Sequence, residues 1–237
     1  MLKDKKVVII GGSSGIGLAS AKQLVAQGAE VIIASRSEEK LQKAKEQLGV
    51  RATTYILDTT QEQQVQSFFE KIGQFDHLVV SAAETSGGAF LQTDTAQAQK
   101  LFENKFWGQY YAAKYGASNI SSNGSIILFS GVVAYKAMVG SAILGAVNAA
   151  ISNLGQTLAL ELAPIRVNIV SPGIIDTPSR SKMPEEARKH FYNTVENKLP
   201  VKRIGRADDV AQSVLYLLQN SFVTGTVLHV EGGHMLT

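Results

Sequence analysis

Near the start of the chain an apolar run, "VVII", leads directly into Gly11-Gly12-Ser13-Ser14-Gly15-Ile16-Gly17, after which helical periodicity begins. Glycines spaced Gly-x-x-x-Gly-x-Gly allow a tight turn and let backbone approach a pyrophosphate closely, with its charge held at a helix N-terminus. The next apolar run ends "IIASRSEE", placing Ser35 and Arg36 where a dinucleotide site chooses between its two nucleotides. An acid there would accept from the ribose hydroxyls of NAD and repel a 2′-phosphate. Arginine does the reverse, since its planar donor fork suits phosphate. Ser13 or Ser37 could add a hydroxyl contact. These residues predict NADP(H).

The elements that must carry those residues follow from periodicity. Short β-branched runs ("KVVII", "EVIIAS", "ATTYIL", "HLVVS", "SIILFS", "RVNIVS") alternate with amphipathic stretches of helical period, and "TVLHV" ends the series. Strands apolar on nearly every residue, separated by helices, indicate a parallel sheet covered on both faces. The expected fold is α/β: one doubly wound Rossmann-type domain over residues 1–237, with a seven-stranded, mainly parallel sheet. Local signals place helix starts at Ser37, ahead of Glu38 and Glu39, and at a capping box of Thr60 with Gln63. A single helix is expected around residues 97–115. After Pro178 a polar helical stretch, "PEEARKHFYNTVENKL", predicts a flap at about 178–205.

Composition removes several alternatives. The 237 residues include no cysteine, which excludes disulfides, thiolate catalysis and cysteine zinc sites. The four histidines, His77, His190, His229 and His234, have no metal-ligand spacing. A formal charge of +3, with Lys and Arg dispersed except around Arg180 to Arg206, argues against nucleic acid as a partner and fits an anionic ligand. The N-terminal apolar run is too short for a signal segment or a membrane span, so a cytoplasmic protein is expected.

With the glycine loop, "DHLVVSAA", "LALELAPIRVNIVSPGIIDTP" and "VTGTVLHVEGG" in order along the chain, the sequence resembles the short-chain dehydrogenase/reductase family. It departs at once in having Ile10 where the family usually has threonine before the first glycine. The resemblance implies further cofactor contacts. Asp58 matches the acid that receives the adenine amino group, and Ser81 and Ala82 lie where backbone passes the adenosine ribose. Pro172, Gly173, Ile175 and Thr177 match the loop that holds the nicotinamide carboxamide. It also implies a homodimer or homotetramer acting on a small-molecule substrate.

The same resemblance implies a catalytic Asn, Ser, Tyr and Lys, and at those positions this chain has Lys105, Gly131, Leu144 and Asn148. Leucine cannot supply the proton that the family tyrosine gives to a developing alkoxide. The motif Tyr110-x-x-x-Lys114 precedes the fifth strand and is read as a decoy on a helix that packs between subunits. Lys105 and Asn148 form an apparent exchange of ammonium and amide. In one reading Lys105 restores the missing cation or polarises a substrate oxygen; in the other the site has drifted. Tyr135, Lys136, Ser141, His190, Tyr192, Glu84 and Asp176 are nearby groups with surface or packing roles as the simpler reading.

Three functions are compatible with this pattern. The leading expectation is an NADPH-dependent oxidoreductase that passes hydride to a carbonyl, imine or enone with a non-standard proton donor. The others are a catalytically silent NADP-binding sensor or partner subunit, and a non-redox enzyme built on the same scaffold.

Overall fold

The computed structural model describes residues 2–82, 87–181 and 183–237; Glu84 lies outside them. Along the chain come β1 (Lys6–Ile10), α1 (Gly15–Ala26), β2 (Glu30–Ser35), α2 (Glu38–Leu48), β3 (Ala52–Ile56), α3 (Glu62–Ile72) and β4 (Phe75–Val80). They are followed by α4 (Thr95–Leu101), α5 (Gly108–Ala117), β5 (Ile120–Phe129), α6 (Ala142–Glu161) and β6 (Arg166–Pro172). Two short strands, β7 (Ile175–Asp176) and β8 (Gly205–Arg206), bracket α7 (Glu185–Lys198), and α8 (Ala207–Gln219) and β9 (Val227–Val230) complete the fold.

Seven strands form one sheet in the order β3-β2-β1-β4-β5-β6-β9, and every neighbouring pair is parallel. The continuous apolar runs divide by the two-residue period of a strand. Val7, Ile9, Val31 and Ile33 pack with Leu24, Leu41, Val210 and Leu217 under α1, α2 and α8. Val8, Ile10, Leu78 and Leu128 face the other way, onto Phe69, Ala112 and Ile151 of α3, α5 and α6. Both faces are therefore covered, which is why the strands look uniformly apolar in sequence. The strand order reverses between β1 and β4, and in such sheets the crevice beyond the strands' C-terminal ends at that point is the usual ligand site.

Two local expectations fail. The helix expected around residues 97–115 is interrupted: a π turn over Phe102–Trp107 separates α4 from α5. The Thr60–Gln63 capping box is absent, because α3 starts after Gln61, which makes no side-chain cap. Thr60 instead gives both its amide and its hydroxyl to Asp58 Oδ1, at 3.0 and 2.9 Å. An Asx-type turn thus outcompetes the helix cap. Ser37 behaves as expected, accepting from the Lys40 amide at 3.3 Å. The stretch at 178–205 holds a short 3-10 turn, Pro178–Arg180, and then α7; pairing of β7 with β8 ties its two ends together.

At the opposite end of the sheet from the crevice, His77 is 5% exposed and its Nδ1 is 3.0 Å from Ser125 Oγ. Burial pushes its pKa down from 6.5 to about 4. The unfolded chain therefore binds a proton at His77 that the fold refuses, and stability falls as pH drops from about 6.5 toward 4. Between about pH 7 and pH 5 the loss should be roughly 2 kcal/mol. Urea unfolding of wild type and His77→Gln at both pH values checks this. A pH dependence identical in the two proteins would show that His77 is not its source.

Candidate active site

The crevice at the switch point is a cleft of about 690 Å³. Gly11, with φ +89°, bends the chain out of β1 so tightly that a Cβ there would lie 2.5 Å from the Ala82 amide nitrogen. At Gly17 a Cβ would meet the Gly11 carbonyl oxygen at 2.3 Å and Ser81 Oγ at 2.6 Å. Ser81 and Ala82 both donate their amides to the Ile10 carbonyl, at 2.9 and 3.1 Å, which seats the end of β4 against the loop. The N-cap residue of α1, Ser14, has an extended backbone and makes no side-chain cap, and the first turn holds no acid. Free amides at the positive end of a helix, reached only past glycines, fit a phosphate.

Every residue expected from the sequence to touch a dinucleotide lines this cleft: Gly11, Ser13, Ser14, Gly15, Ile16, Gly17, Ser35, Arg36, Asp58, Ser81, Ala82, Pro172, Gly173, Ile175 and Thr177. Thr177 and Pro178 close over the glycine loop, 3.4 and 3.9 Å from where a Gly15 Cβ would stand. Lys40, one turn into α2, joins Arg36 on the wall and was missed in the sequence. Its only signal was its place three residues after the Ser37 cap. Ser35 Oγ is buried there without a hydrogen-bond partner among the described residues. A hydroxyl in need of a partner, beside two cations, fits a phosphate group. The set as a whole fits a dinucleotide that carries an extra phosphate.

Lys105, Gly131, Leu144 and Asn148 line the same cleft. Lys105 sits on the π turn, is 3% exposed, and donates from Nζ to the Ser130 carbonyl at 3.1 Å. Burial alone lowers its pKa from 10.5 to about 8. Gln109, fully buried and unsuspected from the sequence, fixes the turn against β5. It donates to the carbonyls of Lys105 and Phe129 at 3.2 and 3.0 Å and accepts from the Phe129 amide at 2.7 Å. Helical π insertions are frequent at functional sites because they re-aim one residue, here Lys105.

Asn148 is 2% exposed, and its Oδ1 has no hydrogen-bond partner among the described residues. A Cβ at Gly131 would lie 2.7 Å from Asn148 Nδ2. Glycine at 131 and asparagine at 148 are thus a matched pair: a serine at 131 would displace the amide. Below them Ser130 Oγ donates to the Asn148 carbonyl at 2.9 Å, and Ser152 Oγ donates to Ser130 Oγ at 2.8 Å. Of the other groups considered, Ser141 lines the cleft, while Tyr135, Lys136, Asp176, His190 and Tyr192 do not. Lys136 is bonded to the His234 carbonyl at 2.7 Å, and Tyr192 donates to Asp176 at 3.0 Å. Lys114 of the decoy motif pairs with Glu62 at 3.1 Å, well outside the cleft lining.

Residues 11–235 match the family described as enoyl-(acyl carrier protein) reductase. Carbonyl reductase family member 4 of Xenopus laevis is 32% identical over 241 residues, covering 98% of this chain and 99% of that one. A small-chain dehydrogenase solved in complex with NADPH is 36% identical with a TM-score of 0.85, over 99% of this chain and all of the other. The MalC reductase/Diels-Alderase of Malbranchea aurantiaca is 27% identical with a TM-score of 0.92, over 100% of this chain and 98% of that one. Fold, glycine loop and whole-length similarity agree: the chain belongs to the short-chain dehydrogenase/reductase family of oxidoreductases.

Proposed function

We propose that the protein is an NADPH-dependent oxidoreductase that delivers hydride to a small carbonyl, imine or enone substrate, with Lys105 as proton donor in place of the family tyrosine. The observation that carries this reading is Lys105 itself. An enclosed ammonium with its pKa near 8 stands in the cleft, which Leu144, the residue that family register aligns with the tyrosine, also lines. The NADPH-bound neighbour supports the cofactor.

In this reading the glycine loop and the α1 N-terminus hold the pyrophosphate, and Arg36 with Lys40 and Ser35 holds the 2′-phosphate. Asp58 has one oxygen engaged by Thr60 and the other available for the adenine amino group. Pro172, Gly173, Ile175 and Thr177 seat the carboxamide. Dihydronicotinamide, when bound, supplies the hydride. Lys105 holds its proton at Nζ, oriented by the Ser130 carbonyl, and passes it to the oxygen or nitrogen that gains charge. A donor whose pKa lies close to working pH is effective in that role. Asn148 Oδ1 accepts a hydroxyl of the nicotinamide ribose, and Leu144 excludes water beside it.

Cofactor choice tests the binding half of this reading. Wild type should prefer NADPH to NADH, and Arg36→Ala should lose about ten- to a hundredfold in NADPH affinity with little change for NADH. Equal binding of the two cofactors by wild type would contradict it. A second reading keeps the cofactor as a wall of a pocket for non-redox chemistry. It draws support from the similarity to the MalC reductase/Diels-Alderase. An aromatic ladder, Phe106, Trp107, Tyr110 and Tyr111, runs from the π turn into α5, with Trp107 41% exposed. We read that face as a contact between copies in a homodimer or homotetramer. A reducing, cytoplasmic setting suits a chain without cysteine.

A further inference from the structure

Among the described residues, four cations line the cleft, Arg36, Lys40, Lys105 and Arg180, against one carboxylate, Asp58. Three of the cations have work in the reading above, and Arg180 has none. It ends the 3-10 turn Pro178–Arg180 at the start of the flap, and its guanidinium carbon stands 5.4 Å from the centroid of the Phe191 ring on α7. Stacking on an aromatic face fixes the plane of the donor fork. Its Nε is enclosed and has no hydrogen-bond partner among the described residues. The acid closest in sequence, Asp176, accepts instead from the Tyr192 hydroxyl at 3.0 Å.

A buried guanidinium N–H without an acceptor is costly, and native structures rarely retain one without a ligand or water to meet it. Phe191, against which it stacks, lines the same cleft, whose wall also carries the apolar side chains of Met183, Leu144 and Val133. An oriented donor fork in a cleft with apolar side chains on its wall fits an oxyanion joined to an apolar body.

We propose that Arg180 is a specificity-determining residue and that the substrate carries an oxyanion, a carboxylate in the simplest case, which pairs with its guanidinium. This deepens the oxidoreductase reading by naming the charge of the substrate. The other source of an oxyanion in this cleft is the cofactor's pyrophosphate. That group already has the glycine loop and the uncapped α1 N-terminus, whereas Arg180 is braced on the flap helix.

The test measures levulinate and its neutral methyl ester binding to NADP+-saturated protein by calorimetry, for wild type, Arg180→Gln and Arg180→Lys, with NADPH affinity measured alongside. Wild type should bind the acid about tenfold or more tighter than the ester, as a charge-assisted contact implies. Arg180→Gln should abolish that preference and leave the NADPH dissociation constant within about twofold. Arg180→Lys keeps a point charge and should retain part of the preference, which separates loss of the contact from loss of folding. Acid that binds no better than ester, or not at all, overturns the proposal, as does a preference that survives in Arg180→Gln. A tenfold loss of NADPH affinity in Arg180→Gln with an unchanged acid-to-ester ratio also overturns it, since Arg180 would then hold the pyrophosphate. Binding is read without turnover, so a protein that never oxidises NADPH could still pass, and the two readings fail separately.

Discussion

Lys105→Met should lower turnover by about 10²–10⁴-fold and, at neutral pH, make the protein more stable. The two effects share one cause. Water strips away from Nζ on folding, and one hydrogen bond, to the Ser130 carbonyl at 3.1 Å, does not restore what hydration gave. The folded pKa of about 8 lies below the ordinary 10.5, so the fold disfavours the charged form. Below about pH 8 both folded and unfolded states carry the proton and the full cost, roughly 3 kcal/mol, is present. As pH rises from about 8 toward 10.5 the folded state sheds its proton first, and the cost is relieved. Methionine fills similar space without charge. Thermal melts at neutral pH, paired with steady-state rates at matched NADPH occupancy, check both effects. A variant that is less stable and fully active would mean the ammonium is a structural strut.

The second large effect lies in the phosphate loop. Gly17→Ala should raise the NADPH dissociation constant by about a hundredfold, the equivalent of one or two charge-assisted hydrogen bonds. The added methyl would stand 2.3 Å from the Gly11 carbonyl oxygen and 2.8 Å from its carbon, and backbone cannot swing aside as a side chain can. Relief requires the loop between β1 and α1 to move, which misaligns the amides of the first helical turn. Overpacking should also cost about 1–3 kcal/mol of stability. Fluorescence titration of NADPH with urea unfolding of the cofactor-free protein separates the two. Near wild-type affinity in the variant would place the pyrophosphate somewhere other than this loop.

These sites differed in how far the sequence could reveal them. The sheet was legible because strands buried on both faces must be apolar at successive positions, as in "VVII" and "HLVV", and the helices between them keep their own period. Gly17 was legible as a glycine, although the atoms that forbid a side chain there, Gly11 and Ser81, meet only in three dimensions. The π turn was not, since a shift from i+4 to i+5 bonding over Phe102–Trp107 leaves no compositional trace. Gln109 looked like any polar residue on a helix, yet it bridges two backbone segments from within the core.

Family register singles out Lys105 by its residue type alone, whereas its altered acidity comes from burial, which only the fold reveals. In sequence Lys105 and Asn148 read as an apparent pair; in space Asn148 is tied to Gly131, because a Cβ there would stand 2.7 Å from its Nδ2. Thr60 misled because a threonine three residues ahead of a glutamine has the spacing of a cap, and only Asp58, two residues back, decides otherwise.

Hydride donation from bound NADPH with the proton from Lys105 is measured most directly as the disappearance of NADPH in a single turnover, with excess protein and a panel of carbonyls, imines and enones, repeated across pH. NADPH should be consumed with at least one class, at a rate that falls about tenfold per pH unit above roughly pH 8 as Lys105 loses its proton, and Lys105→Met should lose that step. NADPH that binds tightly and survives every acceptor would contradict it and leave a nucleotide-binding protein without redox chemistry.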